Sequence, residues 1–376
     1  MLASAGDSQP VVTTVDTTER NLLIDLLKLF AVQVIILHHL VSYGKIAADA
    51  ELLLPTLSSV IFEYGRYLVH GFLVIGGYLA ARSLRWRAGP MDPIGLIVRR
   101  YFRLVPPYLG ALTLAMLSAW FVRHWITEDY VGGPVTLGQL AAHVALLQDM
   151  LGLESISAGG WYVAIDFQLF AFLAIVHAVV RGEARLAIVM TACMFATLLY
   201  FNNDPRYESF FVYFVSSYGL GVLAGVSRHA RLQRTRRLAT ALIILVGAAI
   251  VILAAQGANG RSVVALATAI LLLGAPAASA LEQLPPWLHT LIPWGGNRSY
   301  AAFLLHYSWI LLANLIYSNI QGVSGWSLGA ALIGVYAVTW WSADWFYRHF
   351  ELRVNQWFKA MPMLAGGTAS ARKAGN

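Results

Sequence analysis

Ten stretches of the chain are apolar over about 20 residues, which is the length that an α-helix needs to cross the hydrocarbon core of a membrane. None of them alternates apolar and polar residues as membrane β-strands do, so each is predicted to be a helix that pairs its own backbone groups in lipid. The composition agrees, because 58% of the 376 residues are hydrophobic and 12% are charged, far from the balance of a soluble domain. The predicted fold is therefore all-α, a polytopic transmembrane helical bundle of about ten spans. The segments are residues 21–43, 57–81, 103–123, 161–180, 185–202, 208–227, 238–256, 261–281, 299–320 and 326–347.

The Lys and Arg residues are distributed unevenly between the predicted loops. Most of the 26 lie in one set of alternate loops, such as 82–103 and 228–237, whereas Lys28 and Arg66 lie inside predicted spans. Loops rich in Lys and Arg stay in the cytoplasm, so both termini are predicted to be cytoplasmic. The net charge of +7 is then a consequence of membrane topology, and no nucleic-acid partner is predicted.

The spans divide the chain into one large domain with short tails. Residues 1–20 are predicted to be a cytoplasmic tail, 21–352 the transmembrane domain, and 353–376 a second cytoplasmic tail that is disordered. The outer loop at 124–160 is long, and its apolar stretch LGQLAAHVALLQDML at 137–151 is too short to span a membrane. We predict one short re-entrant or interfacial helix there.

The first span, LLIDLLKLFAVQVIILHHL at residues 22–40, carries ionisable side chains along its length. On a helical wheel Asp25, Lys28 and His39 share one face, whereas His38 points elsewhere. Lys28 and His39 are separated by about 16 Å along the axis, so one lies in the cytoplasmic half and the other near the outer surface. Such a face should line a polar interior, unless Asp25 and Lys28 merely neutralise one another and fix helix packing. A histidine in a polar cavity is a natural general base, which makes His39 the catalytic candidate and His38 the second choice.

The second span, IFEYGRYLVHGFLVIGGYLA, has a polar face of its own. Glu63 and Arg66 are predicted near the depth of His39, where they either contact a polar substrate or pair with one another. Three glycines of this span allow the backbone of another helix to approach closely; they are Gly71, Gly76 and Gly77.

The stretch RRYFRLVPPYLG at 99–110 opens the third span. Arg100 and Arg103 are one turn apart on the same face, and guanidinium forks suit phosphates, although basic residues in this place also satisfy the topology rule. Pro106 and Pro107 should break or kink the helix entry and hold the arginines beside a cytoplasmic cavity.

Two further polar residues lie in later spans. Asp166, near the outer end of the fourth span, can orient an imidazole or hold an acceptor hydroxyl, or it is a satisfied buried carboxylate. His306 lies about two turns into the ninth span, where a lone histidine is more often a packing residue than a catalyst. The sequence lacks His-Glu-x-x-His, P-loop and Gly-x-Ser-x-Gly motifs, and Cys193 is its single cysteine, so no metal site is predicted.

Taken in order, several short motifs resemble those of the acyltransferase 3 family of integral-membrane acyltransferases, over about residues 20–352. The first span of that family has a basic residue and a histidine separated by ten residues, as Lys28 and His39 are. Its Arg-x-x-Arg motif resembles Arg100 to Arg103. Further motifs resemble FLVIGGYL at 72–79, WYVAID at 161–166 and GNRSYAAFLLH at 296–306.

The chain departs from the family pattern at four positions. Gly76 stands where the family has serine, Asp166 where it usually has glutamate and Lys28 where arginine is commoner, and Glu351 is not followed by the usual proline. The basic position accepts either cation, so the departures at Gly76 and Asp166 bear mainly on acceptor recognition.

The resemblance implies transfer of an acyl group, most commonly acetyl, from cytoplasmic acyl-CoA to a hydroxyl of a cell-surface or lipid-linked glycan at the outer face. It also implies that the protein lies in the bacterial inner membrane. It implies acyl-CoA as a donor substrate with no tightly bound cofactor, and the bilayer and a glycan or small-molecule hydroxyl acceptor as partners. Together with the polar faces, it gives these candidates: His39 and Asp166 as catalytic residues; Lys28, Arg100, Arg103 and His306 for the donor; Glu63, Arg66 and Trp161 for the acceptor; and Asp25, Ser299 and Tyr300 as orienting residues.

Several alternatives stay open at the level of sequence. The acyl group can move directly to the acceptor or through a covalent acyl-enzyme, and the donor can be acetyl, succinyl or a longer acyl-CoA. The same polar faces can also line the path of a transporter that exports a glycan or an acylated metabolite without acyl transfer.

Overall fold

A computed structural model describes residues 21–85, 92–257, 260–274, 281, 283–320 and 322–360. Within these ranges the chain is helical and no strand occurs, which confirms the predicted all-α class. The helices are α1 (Leu22–Leu40), α2 (Gly44–Leu53), α3 (Pro55–Tyr64), α4 (Leu68–Arg85), α5 (Pro93–Val122), α6 (Leu137–Ala145), α7 (Gly160–Val180), α8 (Glu183–Leu199), α9 (Val215–His229), α10 (Gln233–Ala255), α11 (Gly260–Leu273), α12 (Pro286–Ser318), α13 (Gly325–Phe346) and α14 (Leu352–Ala360).

Seven helical segments in the described part of the chain are long and apolar enough to cross a membrane. They are Leu22–Leu40, Pro55–Leu84, Pro93–Val122, Gly160–Val180, Glu183–Asn203, Gln233–Ala255 and Pro286–Ser318. The remaining three predicted spans are also helical, but α9 has 15 residues and α11 has 14, and α13 is not among the seven. The protein is thus a multi-pass membrane protein.

Consecutive long helices alternate in direction, so the bundle has two ends. We call the end at which α1, α5 and α12 begin the basic face, because the Arg-rich segments lie there, and the other end the opposite face. Helices α1 and α12 run side by side in the same direction: Gly296 lies against Asp25 near the basic face, and His306 contacts His39 nearer the opposite face.

Helix α9 is buried at the centre of one half of the bundle, and it packs most closely against α4. A Cβ atom at Gly77 would lie 2.1 Å from the carbonyl oxygen of Tyr218, and one at Gly221 would lie 1.9 Å from that of Val74. No other residue fits at either position without moving a backbone. The predicted close helix contact at Gly77 is therefore present.

Helix α5 begins ten residues before its predicted start and differs from the prediction in its interior. The Asp92 carboxylate caps it by accepting from the Gly95 N–H at 2.9 Å, and Pro93 occupies the first turn, where a missing N–H costs nothing. Pro106 and Pro107 lie inside one continuous helix, so of the two predicted effects, a break or a kink, the break does not occur. The longer helix places Arg100 and Arg103 two to three turns in, rather than in a flanking loop.

The predicted second span is also divided. Helix α3 ends at Tyr64, a 3₁₀ turn spans Gly65–Tyr67, and α4 then begins. The turn changes the helical phase, so positions before and after it do not share the face that a single helix would give them.

The long loop between α5 and α7 contains the short helix α6. Helix α6 has a Thr136 and Gln139 capping box and ends where Leu146 adopts φ 57°. The Leu146 carbonyl accepts from Gln168, eight residues into α7, so this segment lies beside the spans.

Helix α14 continues to Ala360, past the predicted domain boundary at 352. Residues 1–20 and 361–376, which include most of the two predicted tails, lie outside the described residues.

Candidate active site

Two histidines from different helices are in direct contact inside the bundle. The Nδ1 atom of His39, in the last turn of α1, lies 2.7 Å from the Nε2 atom of His306 on α12. On the far side of the second ring, the Nδ1 atom of His306 lies 2.6 Å from the carbonyl oxygen of Phe303. His306 is fully buried, so its polar atoms depend on these two partners.

The chemistry of these contacts assigns the protons. A carbonyl oxygen only accepts, so the Nδ1 atom of His306 carries the proton and donates it to Phe303. Neutral His306 then has a lone pair on Nε2, which accepts from the Nδ1–H group of His39. His39 is left with its own lone pair on Nε2, and no hydrogen bond to that atom occurs within the described part of the chain. This is the tautomer that a general base needs.

The His39 ring lines a cavity of about 480 Å³ near the opposite face. Arg66 and Trp161, both predicted to contact the acceptor, line the same cavity, together with Tyr130 and Glu154 of the long loop. Aromatic surfaces and a few charged groups beside a basic imidazole can hold a polar molecule with a hydroxyl directed at His39. We call this the outer cavity.

A second cavity of about 450 Å³ lies nearer the basic face, and we call it the inner cavity. It is bordered by three of the predicted donor contacts, by two predicted orienting residues and by two carboxylates. These are Lys28, Arg100 and Arg103; Ser299 and Tyr300; and Asp166 and Glu351. Three cations around one cavity can bind the phosphates of a nucleotide-like donor.

Asp166 is paired with Arg100 and does not reach His39. Its Oδ2 atom lies 2.5 Å from Nη2 of Arg100, and only 6% of the Asp166 side chain is exposed. The guanidinium also lies over the Phe170 ring, 5.2 Å from the centroid. The structure thus places His306 against the His39 imidazole and in the lining of neither cavity, whereas Asp166 holds an arginine of the inner cavity.

Aromatic side chains separate the two cavities. Phe303 lines both of them, and its ring centroid lies 5.2 Å from that of Tyr162 and 6.3 Å from that of Phe72. We call these three residues the aromatic layer. The residue whose carbonyl fixes the His306 tautomer thus also forms part of the wall between the cavities.

Comparison with protein families agrees with this arrangement. A family model described as an acyltransferase domain, of the acyltransferase 3 type, matches residues 21–370. The chain belongs to the acyltransferase 3 family. Searches of curated proteins and of solved structures gave no match. Membership in the acyltransferase 3 family implies acyltransferase activity in a membrane protein.

Two of the departures from the acyltransferase 3 motifs, Gly76 and Asp166, are neighbours in the structure. A Cβ atom at Gly76 would lie 3.0 Å from Oδ1 of Asp166 and 3.4 Å from the Tyr218 ring. A serine at position 76 would place its hydroxyl against this carboxylate. Both positions face the inner cavity, so these two departures change the surroundings of Arg100 and not those of the outer cavity.

Three other predicted positions lie differently from the expectation. Glu63, at the end of α3, is exposed and does not line the outer cavity. His38 does line that cavity, although its Nδ1 atom is bonded to the Ile61 carbonyl at 3.2 Å. Asp25 is buried against Gly296 and lines neither cavity.

Glu351 is a functional candidate that sequence reasoning missed. It ends a π-helix, Tyr347–Glu351, between α13 and α14, and lines the inner cavity. Burial raises the pKa of Glu351 to about 7, although the nearby charges of Arg103 and Lys28 act to lower it. The π-helix has no simple sequence signature, and such turns are frequent at functional sites.

Proposed function

We propose that the protein transfers an acyl group, most commonly acetyl, from acyl-CoA in the inner cavity to a hydroxyl of a cell-surface or lipid-linked glycan in the outer cavity. One observation carries the proposal: the bonds from His39 through His306 to Phe303 leave Nε2 of His39 as a free acceptor beside the outer cavity. Family membership supports the reaction class.

The donor half of the proposal rests on charge and distance. The phosphates of acyl-CoA would pair with Arg100 and Arg103, and Asp166 holds the Arg100 guanidinium in place. Lys28 and His39 are about 16 Å apart along α1, comparable to an extended pantetheine arm. The acyl end has to pass the aromatic layer, so a rotation of Phe303 is part of the proposed cycle.

The chemical step needs one base. Nε2 of His39 accepts the hydroxyl proton while the hydroxyl oxygen attacks the thioester carbonyl carbon, and an ester bond forms as the carbon–sulfur bond breaks. The imidazolium then gives its proton to the departing CoA thiolate, which leaves as the thiol. His306 keeps the His39 ring oriented throughout, as the third group of a catalytic triad does.

The membrane arrangement completes the proposal. The protein would cross the bacterial inner membrane about ten times, with α9, α11 and α13 as the further spans and both termini in the cytoplasm. The basic face is then cytoplasmic, where acyl-CoA is made, and the outer cavity faces the site at which surface glycans are exposed.

Labelled acyl-CoA tests this function directly. Membranes with the wild-type protein should convert labelled acetyl-CoA to a base-labile ester on glycan, and membranes with His39→Ala, inserted to the same level, should not. A transporter would instead move glycan with no consumption of acyl-CoA. Label that stays on the protein when acceptor is absent would replace direct transfer by an acyl-enzyme route.

A further inference from the structure

A cavity of about 630 Å³ lies at the basic face, away from both cavities of the candidate active site. It is formed where α9 ends and α10 begins. Arg228, Arg236 and Arg237 line it with His229, and Ala241 and Ile244 of α10 line it further into the bundle.

The charge of this cavity is not balanced from within. Its described lining includes three guanidinium groups and no carboxylate. Four other cavities in the described part of the chain each have acidic side chains beside their basic ones: Asp129 and Glu154, Asp166 and Glu351, Glu128 and Asp129, and Asp149 and Glu208.

The hydrogen bonds that Arg228 and Arg236 make do not neutralise their charge. Arg228 donates to the Leu273 carbonyl at 3.2 Å, and the Nε atom of Arg236 donates to the Ala230 carbonyl at 2.7 Å. Carbonyl oxygens fix the orientation of a guanidinium without neutralising it. His229 contacts the Tyr78 hydroxyl at 2.8 Å, which is also uncharged. An anion from outside the protein is therefore the natural complement of this cavity.

The surroundings of the cavity favour a lipid over a soluble anion. Helix α10 is the least covered of the seven candidate spans, with 28% of its apolar window buried. Ile244, at the inner edge of the cavity, is 68% exposed, and Val251 and Ile252 further along the helix are each 58% exposed. A ligand that meets the arginines with one end can thus lie along an apolar, lipid-facing helix with the other.

We propose that this cavity binds the headgroup of an anionic phospholipid from the membrane leaflet at the basic face, with the acyl chains of the lipid against α10. The site is independent of the proposed acyl transfer, because none of its lining residues borders the outer or inner cavity.

Native mass spectrometry of the detergent-purified protein tests this proposal with phosphatidylglycerol and phosphatidylcholine as probes. Phosphatidylglycerol should bind to the wild type more tightly than phosphatidylcholine. Each basic residue near an anionic headgroup contributes about a fivefold factor in affinity, so the double variant Arg228→Gln with Arg237→Gln should lose about 25-fold. Arg237→Gln alone, at an exposed position, should lose about fivefold and serves if the double variant does not fold.

The matched control removes the same charge nearby. Arg231 and Arg234 lie in the same basic segment, are exposed and do not line the cavity, so Arg231→Gln with Arg234→Gln should bind phosphatidylglycerol as the wild type does. Equal losses in both double variants would overturn the proposal in favour of diffuse surface charge. Displacement of phosphatidylglycerol by an equal concentration of glycerol 1-phosphate would assign the site to a soluble phosphate instead. Equal affinity for phosphatidylglycerol and phosphatidylcholine would contradict the proposal of an anionic-lipid site.

Discussion

The Nδ1 atom of His39 lies 2.7 Å from the Nε2 atom of His306, so the His39 imidazole on α1 is held by a residue 267 positions later in the chain. The second histidine is fully buried and is itself fixed by a backbone carbonyl. The pair therefore behaves as one unit, in which the role of His306 is exercised only through His39. This relationship leads to a prediction about how the two residues combine.

His39→Ala should lower kcat by about 10² to 10⁴-fold, which is the usual contribution of a general base. His306→Ala should lower kcat by a smaller factor with little change in KM for either substrate, because it removes only the orientation of the ring. The double variant should be no slower than His39→Ala, since residues that act as a unit are not additive. Steady-state kinetics on membranes with matched protein levels measure all three.

The adjacent histidine supplies the control for that experiment. His38 lines the same cavity but bonds to the Ile61 carbonyl and not to His306, so His38→Ala should stay within about tenfold of the wild type. A loss as large as that of His39→Ala would mean that the base had been assigned to the wrong histidine.

The pair of Arg100 and Asp166 gives a prediction about stability. Asp166→Ala leaves a largely buried guanidinium without its counter-ion, which costs about 3 to 5 kcal/mol in buried pairs. The lower end of that range applies here because 21% of the Arg100 side chain is exposed. Thermal unfolding in detergent should show this loss, and Arg100→Leu added to Asp166→Ala should restore part of it. A double variant less stable than Asp166→Ala would contradict the role of the pair.

The helical class could be predicted from sequence, and so could the positions of His39, Arg100 and Arg103 beside polar cavities, because each depends on local periodicity or spacing. Lys28 and His39 lie on one helix, so about 1.5 Å of rise per residue suffices to place them on opposite sides of the aromatic layer. Whether Asp166 meets His39 or Arg100 depends instead on how α5 and α7 pack against each other, which local periodicity does not show.

The positions of Glu63 and Glu351 also depend on backbone geometry. A helical wheel assumes one unbroken helix, whereas α3 ends at Tyr64 and a 3₁₀ turn follows at Gly65–Tyr67, so the wheel does not relate Glu63 to the face of α4. The π-helix at Tyr347–Glu351 turns a residue near the end of the transmembrane domain into the inner cavity. Neither turn follows from apolar periodicity, which is insensitive to a local change in helix type.

Gly77 should tolerate no side chain, because a Cβ atom would lie 2.1 Å from the Tyr218 carbonyl oxygen. Gly77→Ala forces α4 and α9 apart, and overpacking of this kind costs about 1 to 3 kcal/mol. Gly329→Ala in α13, where nothing lies within 4 Å of the added atom, should leave the melting temperature unchanged or raise it. Thermal unfolding of the two purified variants compares them, and equal melting temperatures would show that the contact of α4 and α9 is not limiting.

Arg103 should contribute to donor binding without contributing to the fold. It is exposed and lines the inner cavity, so Arg103→Gln should weaken CoA binding by about tenfold, as expected for the loss of one charge-assisted hydrogen bond. Arg99→Gln is the matched control, because Arg99 lies one turn earlier on α5, carries the same charge and does not line the cavity. Calorimetric titration with CoA measures both variants. Equal losses of affinity would mean that Arg103 does not contact the donor and serves only the membrane topology.

Glu351 should make donor binding depend on pH. Its pKa is raised from 4.5 to about 7 by burial, so the carboxyl group is neutral in the folded protein below pH 7 and ionised above it. Ionisation places a negative charge beside Arg103 and Lys28, which then attract an anionic donor less strongly. The affinity for CoA should therefore fall as the pH rises from about 6 to 8, and Glu351→Gln should remove most of this dependence while leaving the affinity at pH 6 unchanged.

The ionisation of Glu351 should also lower the stability of the folded protein as the pH rises. A carboxyl whose pKa is higher in the folded than in the unfolded protein binds more protons when folded, so its contribution is fully present below about pH 4.5 and is lost as the pH rises through about 7. Glu351→Gln should thus be more stable than the wild type at pH 8, with the advantage shrinking as the pH falls towards 5. Melting temperatures measured in detergent across this range decide the point. An advantage that grows at low pH would mean that Glu351 is held as an ion by Arg103 and Lys28 and not as a neutral acid.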